Sequence, residues 1–191
     1  SQRKDGGWAW MARNNNSDTF VTSMSYWALS AASAAGLPVH SHTVSTAHNW
    51  LKNQFRRVAA KDNDAKAVIL HALSTSKKAD FANANRLYRE RNRLSSPALA
   101  YAALTFVNLD RKEIAQEILQ VLETKSKEQQ AGPVRICWWD GTRTHPWLDD
   151  RTEVTAVSLL ALSKVSPTSA RVKQAVDYLM FDPTWCGGIS E

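Results

Sequence analysis

Cysteine is nearly absent: the 191 residues include two, Cys137 and Cys186. That excludes a disulfide-framed scaffold, and the two lack the spacing of a zinc site. One disulfide between them and two buried free thiols both remain open. No apolar stretch is long. The longest, such as 97–109, stop well short of the roughly 20 residues a membrane span needs, so direct membrane insertion is not expected. No charged-then-apolar signal segment opens the chain at Ser1. Basic residues are in excess, with a net charge of +6, but they do not gather in one block. The densest cluster, Arg86, Arg89, Arg91 and Arg93, is interrupted by Glu90 and reads as a solvated helix face. No nucleic-acid motif accompanies it, so nucleic acid is not expected as a partner.

What the chain does have is apolar residues along most of its length, 43% of the total, beside 22% charged. These proportions belong to a folded, water-soluble domain and exclude a disordered one. Its end, Cys186-Gly187-Gly188-Ile189-Ser190, carries a glycine pair that usually leads into another element. Residues 1–191 are therefore read as one domain fragment of a longer, multidomain chain.

The organising feature is a repeat of helix pairs. Four alanine-rich segments end in Ala-Leu: Thr22–Leu29, Ala67–Leu73, Leu99–Leu104 and Val154–Leu162. Each is followed by a second amphipathic stretch with an apolar anchor: Trp50-Leu51, Leu87-Tyr88, Ile118-Leu119 with Leu122, and Tyr178-Leu179. Apolar residues recur at steps of three and four, which is helical spacing. Boundary signals agree. Gly36-Leu37-Pro38 ends the first helix, and Ser96-Pro97 reads as an N-cap and first helical residue. Asp110 with Glu113, and Asp150 with Glu153, have capping-box spacing. Ser166-Pro167 and Asp182-Pro183 close the last two helices. The expectation is an all-α fold of eight helices in four antiparallel hairpins, the small alanines permitting an inner layer and the polar partners forming an outer one. Periodicity alone leaves an open solenoid and a closed α/α toroid as alternatives. An irregular aromatic segment at about 132–148, GPVRICWWDGTRTHPW and the residue after it, reads as a loop or short hairpin.

The succession of motifs resembles one family. Gly6-Gly7-Trp8-Ala9-Trp10, Ser17-Asp18 leading to Val21-Thr22, and Tyr26-Trp27-Ala28-Leu29 look like the thioester domain of bacterial alpha-2-macroglobulins. So do Ala47-His48-Asn49-Trp50-Leu51, Leu87-Tyr88-Arg89-Glu90-Arg91, Trp138-Trp139 before Asp149-Asp150, Glu153-Val154-Thr155-Ala156, Ala175-Val176-Asp177-Tyr178-Leu179 and Gly187-Gly188-Ile189-Ser190. The resemblance runs in order through nearly the whole chain. It implies an α/α toroid, probed by no single motif but by their order. It further implies a protease-trapping or envelope-defence role, proteases and neighbouring domains as partners, and a periplasmic, outward-facing membrane-anchored or extracellular place. One feature departs from the family. Its thioester needs Cys-Gly-Glu-Gln, whereas Cys137 precedes Trp138-Trp139-Asp140 and Cys186 precedes Gly187-Gly188-Ile189. No thioester residue is assigned to this chain.

No catalytic residue, metal ligand or cofactor is assigned either. His40, His42, His48 and His71 read as loop or core-edge residues. The one candidate polar and aromatic surface site gathers His145, Trp138, Trp139, Trp147, Asp149, Asp150 and Glu153. An imidazole near carboxylates can move a proton or bind a ligand, although helix capping already accounts for Asp150 and Glu153. An isoprenoid-handling enzyme on the same toroid is the alternative class. The run Pro146-Trp147-Leu148-Asp149-Asp150 lacks the first aspartate of the cyclase Asp-x-Asp-Asp motif, and Asp182 with Cys186 does not reproduce the prenyltransferase zinc step. A structural or docking domain using the tryptophan loops is the third reading.

Overall fold

The computed structural model describes residues 1–11, 16–76 and 80–181, with only the backbone of Phe181. Cys186, the Asp182-Pro183 boundary and the Gly187-Gly188 motif lie outside the described residues. The fold is all-α. Among the described residues, eight α-helices run in order: α1 (Thr19–Ala34), α2 (Ser41–Arg57), α3 (Asn63–Ser74), α4 (Phe81–Arg89), α5 (Ser96–Asn108), α6 (Lys112–Thr124), α7 (Arg151–Val165) and α8 (Ala170–Phe181). One antiparallel hairpin, β1 (Lys127–Ala131) with β2 (Val134–Trp138), sits between α6 and α7. The irregular segment supplies only the turn and the second strand of this hairpin; the first strand lies wholly upstream of 132. The Lys-Glu-Gln-Gln stretch of β1 has no apolar alternation to announce it. Backbone pairing with β2, from Lys127 opposite Trp138 to Ala131 opposite Val134, makes it a strand.

Helix ends follow local chemistry. Asp18, Asp62, Asp80 and Asp150 cap α1, α3, α4 and α7 by accepting first-turn N–H bonds. Two expected caps are corrected. Ser95, not Ser96, caps α5, which places Pro97 at its second position, still within the turn that needs no N–H donor from it. Asp110 does not cap α6: it stands in the left-handed region with φ 58° and ends α5. There Asp110 N–H donates to Val107 O (3.1 Å) and Arg111 N–H to Phe106 O (2.8 Å). Gly36, with φ 80°, ends α1 in the same way, through Gly36 N–H to Ser33 O and Leu37 N–H to Ala32 O. His42, expected in a loop, lies in the first turn of α2.

The alanine-rich segments all fall in the odd helices, and these pack on one another in the order α1, α3, α5, α7. Each also packs on the even helix that follows it. In α3 every residue but Asn63 and Lys66 is buried, and in α5 every residue but Val107 and Asn108. Ala67, Ala98, Ala100 and Ala103 have no exposed surface, so the inner helices approach without bulky spacers. Larger side chains, Leu99, Leu104 and Phe106 among them, fill the remaining space, each stabilising the fold by about 1.5–3 kcal/mol. The even helices bury one stripe and expose the other, as α6 does with Ala115, Ile118, Leu119 and Leu122 inside. The hairpin lies against α8, where Cys137 is a buried free thiol.

Candidate functional site

The four inner helices begin together at one end of the layer. Asp62 and Ser95 cap α3 and α5, and Ser95 Oγ donates to the Asp64 carboxylate, joining those two starts. The segment between β2 and α7 crosses this end before Asp150 caps α7, accepting from Thr152 N (2.7 Å) and Glu153 N (3.2 Å). On the way, His145 Nε2 lies 3.0 Å from both Asp62 carboxylate oxygens. The His145 ring stacks on Trp147 (4.5 Å between centroids, 22°), Trp147 on Phe20 of α1 (4.9 Å, 21°), and Phe20 on Trp10 (6.2 Å, 20°). A row of four rings thus runs from the His145–Asp62 contact to Trp10, which is 64% exposed.

The structure divides the expected site. His145 and Trp147 belong to the row, but the carboxylate that faces His145 is Asp62, 83 residues away. Asp149 and Asp150 are exposed. Glu153 is half-buried, and burial first, the Asp150 charge second, pushes its carboxyl above the usual range. Trp138 and Trp139 point apart, as neighbours at the end of a strand do. Trp139 is a correction to the surface reading: it is fully buried, its indole N–H donating to Leu122 O (2.8 Å) and its backbone N–H to Thr155 Oγ1 (3.2 Å). Trp138 stacks on Tyr178 (5.6 Å, 25°), with the Arg151 guanidinium 5.3 Å from its centroid. Arg151 and Lys127 both pair with Asp140 (3.1 and 2.5 Å), and the Lys127 bond foremost holds that carboxyl below its usual range.

Two polar features escaped the sequence reading. Asp62 has an N-cap signal in Asp62-Asn63-Asp64, but nothing local pairs it with His145. His71, expected at the core edge, is fully inside: the edge of Trp27 lies 4.6 Å away and Tyr101 5.5 Å away, and neither ring nitrogen has a hydrogen-bond partner. Burial, with the Lys164 charge a lesser cause, pushes its pKa down to about 3, so the ring is neutral. The Cys137 thiol is likewise pushed up, to about 11, mainly by burial, which suits a packed rather than a reactive sulfur.

The described clefts are open and polar. One lies between α6, the hairpin and α8 and is lined by Glu123, Glu128, Arg135 and Arg171; both arginines pair with Glu128, and Glu123 accepts from Ser169 Oγ (2.6 Å). The arrangement supplies stacking surfaces and a histidine held against an aspartate. Among the described residues, no three His, Cys, Asp or Glu side chains are placed to hold a metal ion, and no helix is long and apolar enough to cross a membrane.

No protein-family model matches the sequence, and no curated relative matches it. Solved structures do resemble it. Native alpha-2-macroglobulin from Escherichia coli, spanning domain MG7 to the C-terminus, matches with a TM-score of 0.70 at 12% identity, over 98% of this chain and 29% of that one. Salmonella alpha-2-macroglobulin reacted with methylamine gives 0.71 at 14% identity, over 96% of this chain and 12% of that one. A mutant of the Salmonella protein gives 0.69 at 14% identity, over 98% and 12%. The chain therefore has the fold of a region of bacterial alpha-2-macroglobulins, and spans under a third of the length of the structures it matches.

Proposed function

We propose that this chain is the thioester-domain-like module of a bacterial alpha-2-macroglobulin-type protein, serving protease capture or envelope defence without catalysis of its own. The observation that carries the reading is structural agreement over 96–98% of the chain with bacterial alpha-2-macroglobulins. The ordered family motifs support it from the sequence side. On this reading the four hairpins are part of an α/α toroid with the odd helices as its inner ring. The partners are proteases and neighbouring domains of the same polypeptide, and the site of action is the periplasm, the outward face of a membrane or the extracellular space. No cofactor is called for. The His145–Trp147–Phe20–Trp10 row and Trp138 are contact surfaces in this scheme. Any covalent step must draw on residues outside the chain, since neither Cys137 nor Cys186 stands in a Cys-Gly-Glu-Gln motif.

Protease shielding tests the function. The full-length protein, cleaved by a protease, is expected to leave that protease active on a small chromogenic peptide but blocked from a protein substrate. Unhindered digestion of the protein substrate by every protease that cleaves the full-length protein would remove the capture reading. Intact mass before and after methylamine, with a thiol assay, then separates the two modes of capture. Uptake of one methylamine with release of one thiol means covalent capture, and no uptake means steric capture.

A further inference from the structure

The segment joining β2 to α7 has a closed neck and a separately held tip. At the neck, Thr142 N–H donates to Leu148 O (2.8 Å). Gly141 passes so close beneath residues 148–149 that a Cβ there would lie 2.6 Å from Asp149 Cα. Both flanks are rooted in the body: Trp139 and Leu148 are buried, and Asp150 caps α7. The tip is different. Arg143, Thr144 and Pro146 are exposed, and the bonds of Thr144 run to Thr142 within the loop. Two side chains tie the tip to other elements: His145 to the Asp62 carboxylate of α3, and Trp147 to the Phe20 ring of α1.

We propose that residues 143–147 form a latch that swings away from the starts of α1 and α3, pivoting on the closed neck, while the helices stay folded. Ω-shaped loops with joined ends are compact units of this kind. Opening exchanges one charge-assisted hydrogen bond, the Leu148 N–H bond to His145 O and the partial burial of Trp147 against Phe20 and the core edge for water, whereas melting any inner helix exposes a whole buried layer. The latch is therefore the weaker element and opens first. Opening bares the Phe20 ring and the Asp62 carboxylate, so the surface this end offers a neighbouring domain depends on the latch. The inference does not rest on protease capture.

Limited trypsin digestion of the full-length protein, followed by mass spectrometry, reads opening through cleavage at Arg143–Thr144. Asp62→Asn keeps a capping side chain for α3 but removes the charge facing His145. His145→Gln removes the other partner. Each variant is expected to speed that cleavage about tenfold, and the double variant to be no faster than the faster single one, because both remove the same contact. Cleavage at Arg86 on α4 and hydrogen exchange at the Thr142 amide should not change. Equal rates at Arg143 in all four proteins would overturn the proposal, as would additive effects. So would a parallel rise at Arg86 or loss of Thr142 protection, either of which would mean that helices or neck open too.

Discussion

His71 carries two buried ring nitrogens without partners, between Trp27 and Tyr101, and this makes it a source of acid sensitivity. The folded protein takes up that proton only near pH 3, while an unfolded chain takes it up near 6.5. Between these values the unfolded state holds more protons, so stability falls as pH drops below about 6.5, by at most about 1.4 kcal/mol per pH unit. His71→Phe keeps a ring and removes the titration. Urea unfolding at pH 7 and pH 4.5 should show a smaller acid loss in the variant, and equal losses would place the sensitivity elsewhere. Asp110 offers the opposite case, a side chain held at φ 58° where glycine is the usual helix terminator. Asp110→Gly relieves the left-handed strain at some cost in chain entropy, for a net gain of about 0.5–1 kcal/mol. A rise in the urea midpoint without a change of slope would show it; a fall would mean that the Asp110 side chain contributes more than the strain costs.

At the scale of elements, β2 and α7 show how adjacent residues take unrelated roles. Trp139 fills the core with its indole N–H bonded to Leu122 O, whereas Trp138 lies half-buried between Tyr178 and Arg151. Trp139→Ala should cost about 3–5 kcal/mol through the cavity it leaves. Trp138→Ala should cost clearly less, and similar losses in thermal unfolding would refute the division. The motif Trp138-Trp139 was legible as aromatic, but its in-and-out split depends on strand phase, which the polar β1 partner conceals. Asp150 was legible as a cap because capping is a contact within four residues. The failure at Asp110 has the same local root: Asp-x-x-Glu spacing also fits a residue that closes the preceding helix, and only the backbone angle separates the two.

For the molecule as a whole, the decisive feature is the inner layer in which α3 and α5 are buried all round. Ala103 on α5 has no exposed surface, so Ala103→Leu adds volume where helices already touch. The expected loss is about 1–3 kcal/mol by overpacking, read as a lower urea midpoint; an unchanged midpoint would show slack in the layer. His71 and its aromatic neighbours pack against one another within the same layer.

The sequence by itself determined the all-α class, the eight helices, the alternation of alanine-rich and amphipathic members and a few of their ends, the Asp150 cap and the Gly36 terminator among them. These follow from spacing within a turn or two of helix, which is written in neighbouring residues. Only the tertiary structure decided that Asp62, not Asp149 or Asp150, faces His145, that Trp10, Phe20 and Trp147 stand in one row, that Trp139 lies in the core and that Lys127–Ala131 is a strand. Each of these joins residues from different elements, or depends on backbone pairing, and such contacts are selected by how the helices pack rather than by any local pattern.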